Sequence, residues 1–269
     1  PAKVLEYKSG LGSWYDYGAR FYDPATSSFT SIDRFAEKYA FQSPFAYATN
    51  NPIKFIDVNG DSINVSNIMR ENPGRWESTH GELEKFTGLS LTVDDSGNLG
   101  YTKPEGKLSG SKRARKMLIS AIEDEETVTV YDNTGGISYV PISDGDPSND
   151  NEVHLAFDKI DLFISAENRS PDLDSRAYGD GLTFFHELGH TRVGGYMKDA
   201  AGRRILNNVR NVNRIRRELG PEFGQRVDYF QYNVKEDPNN VYFAFSRKAR
   251  RALKAGILPS GGYFKIPKK

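Results

Sequence analysis

The sequence predicts an α+β protein with a small mixed sheet, one motif-bearing helix and further helices toward the C-terminus, preceded by a short β-rich segment. Three observations support this. Residues 1–61 are dense in Tyr, Phe, Gly, Asn and Pro in short turn-punctuated runs, and this texture stops near residue 61. Apolar stretches of strand length then precede stretches with helical periodicity. At 269 residues with 37% hydrophobic and 27% charged side chains, the chain can bury a proper core. The expected division is 1–61 and 62–269.

In the first region, Trp14–Pro24 alternates aromatic with small or polar residues, which suggests short strands. Asp23-Pro24, Asn51-Pro52 and Asn59-Gly60 read as turns. Residues 62–110 give no clear pattern. Ser111–Asp124 reads as a helix, with Met117, Leu118, Ala121 and Ile122 in register. Thr127–Tyr131 and Ile137–Val140 read as strands of a hairpin around Asn133-Thr134-Gly135-Gly136. Ser143–Asn151 is an acidic loop, Val153–Phe157 and Asp161–Ser165 are strand candidates, and Ala166–Tyr178 is a loop. Helices are expected over Gly181–His190, stopped by Gly194-Gly195, over Arg203–Leu219, stopped by Gly220-Pro221, and near Val241–Ala255, before a Gly/Pro tail.

Composition excludes some chemistries. The chain has no cysteine, so disulfides and thiolate metal sites are impossible, and a metal must be held by His, Asp, Glu or Tyr. No window approaches the roughly 18 apolar residues of a membrane span. The first residue is Pro1 rather than Met, which suggests a fragment or a processed product. The net charge of zero hides an asymmetry: residues 198–269 hold 17 basic and 6 acidic side chains, while the preceding 197 residues carry −11. A basic end suits an acidic partner or a solvated helix face. Arg247–Lys254, with Phe243 and Phe245 nearby, also admits nucleic-acid contact, though the solvated face is the simpler reading.

The motif that carries chemistry is His186-Glu187-Leu188-Gly189-His190. Histidines four apart lie one helical turn apart on the same face, and Glu187 shares that broad face. Imidazole suits Zn2+ when thiolate is missing. Zinc would lower the pKa of a bound water from about 15.7 toward about 7, with Glu187 taking the proton. His186 and His190 are therefore candidate metal ligands and Glu187 the candidate general base. The third ligand is open. A metzincin-type third His would fall on Tyr196, and no thermolysin-type Glu-x-x-x-Asp follows. Asp199 is the nearest acid after the turn. Tyr196 is a second choice, as ligand or as donor to the oxyanion of a tetrahedral intermediate. Glu218, Asp228 and His154 are also in range as alternatives.

Two stretches resemble known families. Tyr17, Arg20, Tyr22, Asp23, Pro24, Phe29, Asp33, Pro44, Phe45, Tyr47, Asn50, Asn51, Pro52, Asp57 and Gly60 follow in order the closing pattern of the RHS repeat-associated core, with Val58 where that pattern has Pro. The resemblance implies a segment that plugs a β-cage, followed by a variable toxin domain. Asn213, Arg216, Glu218, Leu219, Gly220, Arg226 and Tyr229, after the five-residue motif, resemble the minimal zinc metallopeptidase effectors secreted by enteropathogenic bacteria. Together they imply a zincin-like endopeptidase toxin delivered into a target cell by a bacterial secretion system. A protein substrate in that cell, the RHS cage and a cognate immunity protein, acidic in character, are the implied partners. The competing reading is a nucleic-acid-targeting toxin that works through the basic C-terminal third.

Overall fold

A computed structural model describes residues 3–5, 14–16, 20–32, 43, 45, 63–124, 126–141, 150–201 and 204–268. Helix at 38% and strand at 22% place the chain in the mixed α+β class. No helix among the described residues is long and apolar enough to cross a membrane. The chain divides into two compact units: Pro1–Ser62 with Ile122–Thr127, and Ile63–Ala121 with Val128–Lys269.

In the first unit, β1 (Lys3–Leu5), β2 (Trp14–Asp16), β3 (Phe21–Asp23) and β4 (Ser28–Phe29) form an antiparallel sheet in that order. The Asp23-Pro24 turn closes locally, with Asp23 Oδ1 accepting the Ala25 amide at 2.8 Å. Arg20 lies over the Phe29 ring at 3.7 Å. Of the RHS-like positions, Tyr17, Asp33, Pro44, Tyr47, Asn50–Pro52, Asp57 and Gly60 lie outside the described residues, as does most of the acidic loop after Ser143.

The second unit is built on a parallel sheet, β5 (Ile63–Asn64), β8 (Val128–Asp132) and β9 (Glu152–Leu155), in the order β5-β8-β9. Parallel neighbours require long crossovers. Between β5 and β8 the crossover holds α1 (Ser66–Glu71), α2 (Pro73–Thr87), the hairpin β6 (Ser90–Val93) and β7 (Leu99–Thr102), and α3 (Lys112–Ile122). This supplies the structure of residues 63–110, for which the sequence gives no clear pattern. Ile63, Val128, Val130, Val153 and Leu155 are fully buried and alternate with half-buried neighbours, so one face of the sheet packs on the core.

The expected hairpin over Thr127–Val140 does not form. The turn is present, with the Gly136 amide bonding Asn133 O at 2.9 Å. However, β5 and β9 already occupy both edges of β8. The returning segment instead pairs antiparallel with β9, through the Tyr139–His154 bridge.

The strand expected over Asp161–Ser165 is also corrected, because α4 (Phe157–Ile164) is a helix. Phe157, Ile160 and Phe163 recur at three-residue spacing, a helical stripe that outweighs β-propensity. A 3-10 turn at Ser175–Tyr178 leads into α5 (Asp180–His190). Gly181 in α5 packs so closely on α2 that a Cβ there would meet the Phe86 ring at 2.9 Å. α5 ends at His190, before the glycine pair. Thr191 Oγ1 bonds Leu188 O at 2.7 Å and receives the Gly194 amide at 2.9 Å. Only glycine fits at 194, where a Cβ would fall 1.8 Å from Leu188 O.

The ribbon β10 (Ala200–Ala201) and β11 (Arg204–Ile205) takes up the residues expected to open the next helix, so α6 runs Asn207–Leu219. The C-terminal sheet is antiparallel, β12 (Tyr232–Val234), β13 (Asp237–Ala244) and β14 (Tyr263–Pro267). The helix expected from Val241 therefore starts later, as α7 (Arg247–Lys254), with Ser246 capping the Ala249 amide. Val241–Ala244 belongs to β13, where Tyr242 and Ala244 are buried and pair with Lys265 and Tyr263. The expected tail contains β14.

Candidate metal centre

α5 delivers His186, Glu187 and His190 to the wall of a cavity of about 580 Å³. Its N-terminal end is anchored twice to α2. Asp180 pairs with Arg75 at 2.7 Å, and Glu82 Oε2 accepts the Gly181 amide at 2.8 Å. The face of α5 turned to the core carries Phe184, Phe185 and Leu188, while Leu182, Thr183, His186, Glu187 and His190 meet the cavity.

The turn after α5 brings Asp199 back to both histidines. Asp199 Oδ2 lies 3.1 Å from His186 Nε2 and 3.3 Å from His190 Nε2. A tetrahedral ion with bonds of about 2.0–2.2 Å separates its ligand atoms by about 3.3–3.6 Å. The two separations are close to that value. Among the described residues, His186, His190 and Asp199 form a group that could hold a metal ion.

The protonation pattern suits such a role. His190 Nδ1 sits 2.7 Å from Met197 O. A carbonyl only accepts, so Nδ1 carries a proton, which leaves Nε2 as the nitrogen that faces Asp199 and could ligate a cation. This is the outer-shell contact that orients a ligating imidazole. Burial alone would raise Asp199, but hydrogen bonding and charge from His186 and His190 hold it far below the usual carboxylate range. Burial raises Glu187, and the two histidines only partly offset this.

Tyr196 is not part of the centre. Its residue is 42% exposed, and its hydroxyl donates to Asp150 Oδ2 at 2.5 Å. The backbone at Tyr196 is left-handed, φ 49°, directly after Gly195, and the side chain does not line the cavity. The expectation of Tyr196 as ligand or oxyanion donor is therefore corrected. Of the three phenols that line the cavity, Tyr139, Tyr178 and Tyr229, the one beside Asp199 is Tyr229. Its hydroxyl is buried, near enough to Asp199 to feel its charge, yet without a hydrogen bond of good geometry. Burial, then Asp199, push its pKa up, so it stays a protonated donor at neutral pH.

Tyr229 is held from several sides. Arg226 stacks on its ring at 3.6 Å. Asn213 accepts the Arg226 amide at 2.9 Å and donates to Arg226 O at 2.7 Å. Arg216, on the same face of α6, is buried against the cavity and donates to Ala177 O at 3.0 Å. Burial lowers its pKa to about 10, so it remains charged at neutral pH.

The other third-ligand candidates are engaged elsewhere. His154 is stacked between Tyr131 and Tyr139, with Nε2 3.0 Å from Glu152. Glu218 accepts Ser111 Oγ and the Arg113 amide at α3, both at 2.8 Å. Asp228 is buried and faces Arg250 and the Tyr232 hydroxyl. One wall of the cavity is the segment Ile137–Val140, and another is apolar, with Ile160, Phe163 and Leu182. Comparison with known proteins finds no matching family model, curated protein or solved structure.

Proposed function

We propose that this chain is a zinc-dependent endopeptidase of zincin type, with His186, His190 and Asp199 as the protein ligands. The observation that carries the reading is the approach of Asp199 Oδ2 to both Nε2 atoms at 3.1 and 3.3 Å, with Glu187 lining the same cavity. A bound zinc ion would supply a Lewis acid that polarises a carbonyl and acidifies water. Glu187, one residue from the first ligand and raised by burial, is suited to take a proton from attacking water and pass it to the leaving amine. Tyr229 is suited to donate its hydroxyl to the oxygen that becomes negative during attack. The segment Ile137–Val140 already pairs with β9 through Tyr139 and lines the cavity, so an extended peptide would add here as a further strand.

The resemblance of residues 11–61 to the RHS core extends the proposal. The domain would be the toxin end of an RHS-type polypeptide, acting on a protein in a target cell and restrained by an immunity protein. The deciding experiment is Glu187→Gln. It should keep one zinc per chain and lose roughly 10²–10⁴ in the rate of peptide hydrolysis. Near-native hydrolysis by this variant would remove Glu187 as the base.

A further inference from the structure

Asn208 lies on the first turn of α6 and is fully buried. Its Nδ2 is 2.9 Å from His186 O, 3.1 Å from Asp199 Oδ1 and 3.0 Å from His190 Nε2. An amide nitrogen carries two hydrogens, and a carbonyl and a carboxylate oxygen can only accept. The two hydrogens are therefore matched by His186 O and Asp199 Oδ1. Neither hydrogen is needed at His190 Nε2, so with Nδ1 protonated that nitrogen is the one that can ligate a cation. Asp199 is then divided between two tasks. Oδ1 receives the amide, and Oδ2 is the oxygen that faces both imidazoles.

Asn208 is not placed to satisfy its own oxygen. Oδ1 is buried with no hydrogen-bond partner. Turning the amide over would set that oxygen against two acceptors, so the present orientation serves the neighbours. Gly189, inside the five-residue motif, makes room for it, because a Cβ at 189 would fall 2.1 Å from Asn208 Oδ1.

We infer that Asn208 is the positioning residue of the metal centre, fixing Asp199 as a one-oxygen ligand through the hydrogen bond to Oδ1. This rests on the zinc reading above. It also assigns a role to the glycine of the motif, which keeps α5 bare where the Asn208 amide lies.

The test measures zinc affinity of the full chain by competition with a chelator of known affinity, alongside thermal unfolding of the metal-free proteins. Wild type is compared with Asn208→Ala, Gly189→Ala and the double variant. Asn208→Ala should bind zinc about 10–100-fold more weakly, the usual cost of losing an outer-shell partner. Gly189→Ala should show a similar loss, because its methyl displaces the amide. The double variant should be no weaker than Asn208→Ala alone, since both changes remove one contact. Zinc affinity of Asn208→Ala within twofold of wild type would overturn the inference, as would losses that simply add. If Asn208→Ala does not fold without metal, Gly189→Ala decides: weakened binding supports the inference and unchanged binding overturns it. Failure of the wild type to bind zinc would remove the metal reading itself, and the inference with it, which is a distinct result.

Discussion

Arg250 Nε lies 2.8 Å from Asp228 Oδ2, which ties the basic helix α7 to the segment that carries Arg226 and Tyr229. Asp228 is 1% exposed at its side chain and Arg250 33%, so the pair is largely withdrawn from water. Arg247, Lys248 and Arg251 are exposed on the same helix. The basic cluster thus has two roles, and only its outer members are free to steer a partner. Reversing Arg247, Lys248 and Arg251 should slow association with an acidic inhibitor at low salt and leave stability near wild type. Arg250→Ala should cost about 3 kcal/mol in urea unfolding, because it removes the cation that faces a buried carboxylate and leaves Asp228 only its neutral donors, the Tyr232 hydroxyl and the Phe230 amide. Equal stability of the two variants would refute this division.

Tyr229 and Tyr196 exchange the roles expected from their distance in sequence to the motif. Tyr229→Phe should lower kcat about 10²–10³-fold, the usual loss for one oxyanion donor, with KM and zinc content little changed. Tyr196→Phe removes a donor to Asp150 on an exposed turn and should leave kcat within about twofold. Steady-state kinetics on a peptide pool cleaved by the wild type checks both, and a reversed ranking would reject the assignment.

Glu82 links pH to the stability of α5. Burial pushes its carboxyl up to about 7, with Asp180 adding to the rise and Gly181, Arg176 and Arg75 opposing it. In the folded chain Glu82 holds its proton above the unfolded value of 4.5. The native state therefore binds more protons than the unfolded state between about pH 4.5 and 7. Stability falls as pH rises through that window, and the contribution is fully lost above it. The shift corresponds to at most about 3 kcal/mol. Glu82→Gln can still accept the Gly181 amide and does not titrate. Its stability relative to wild type should rise by up to that amount between pH 4.5 and 8 in urea unfolding. A pH-independent difference would contradict the assignment.

Some of this was legible in the sequence, for identifiable reasons. His186, Glu187 and His190 are local, and a helix of ordinary length fixes their mutual geometry from spacing alone. Thr127–Tyr131 and Val153–Phe157 read as strands, close to the observed β8 and β9, because they are short and β-branched or apolar at their buried positions. Their partners were not legible, because parallel pairing joins segments separated by a long crossover. That is why Ile137–Val140 looked like a hairpin arm. Asp161–Ser165 reads as a strand because the apolar stripe of α4, to which it belongs, is only two turns long. Asp199 could be named as nearest acid, but its approach depends on the tight turn that Gly194 permits. Tyr229 stood in a family-like pattern with Arg226, while its role follows only from the fold of α6 and the loop after it. Asn208 carried no sequence signal, because an asparagine early in a helix usually caps it.

The proposed function depends on a bound zinc ion. Crystals of chelator-free, zinc-loaded protein, with anomalous data on both sides of the zinc edge, test it directly. One peak per chain is expected, within about 2.0–2.2 Å of His186 Nε2, His190 Nε2 and Asp199 Oδ2. Absence of a peak, or a peak whose ligands exclude Asp199, would contradict it.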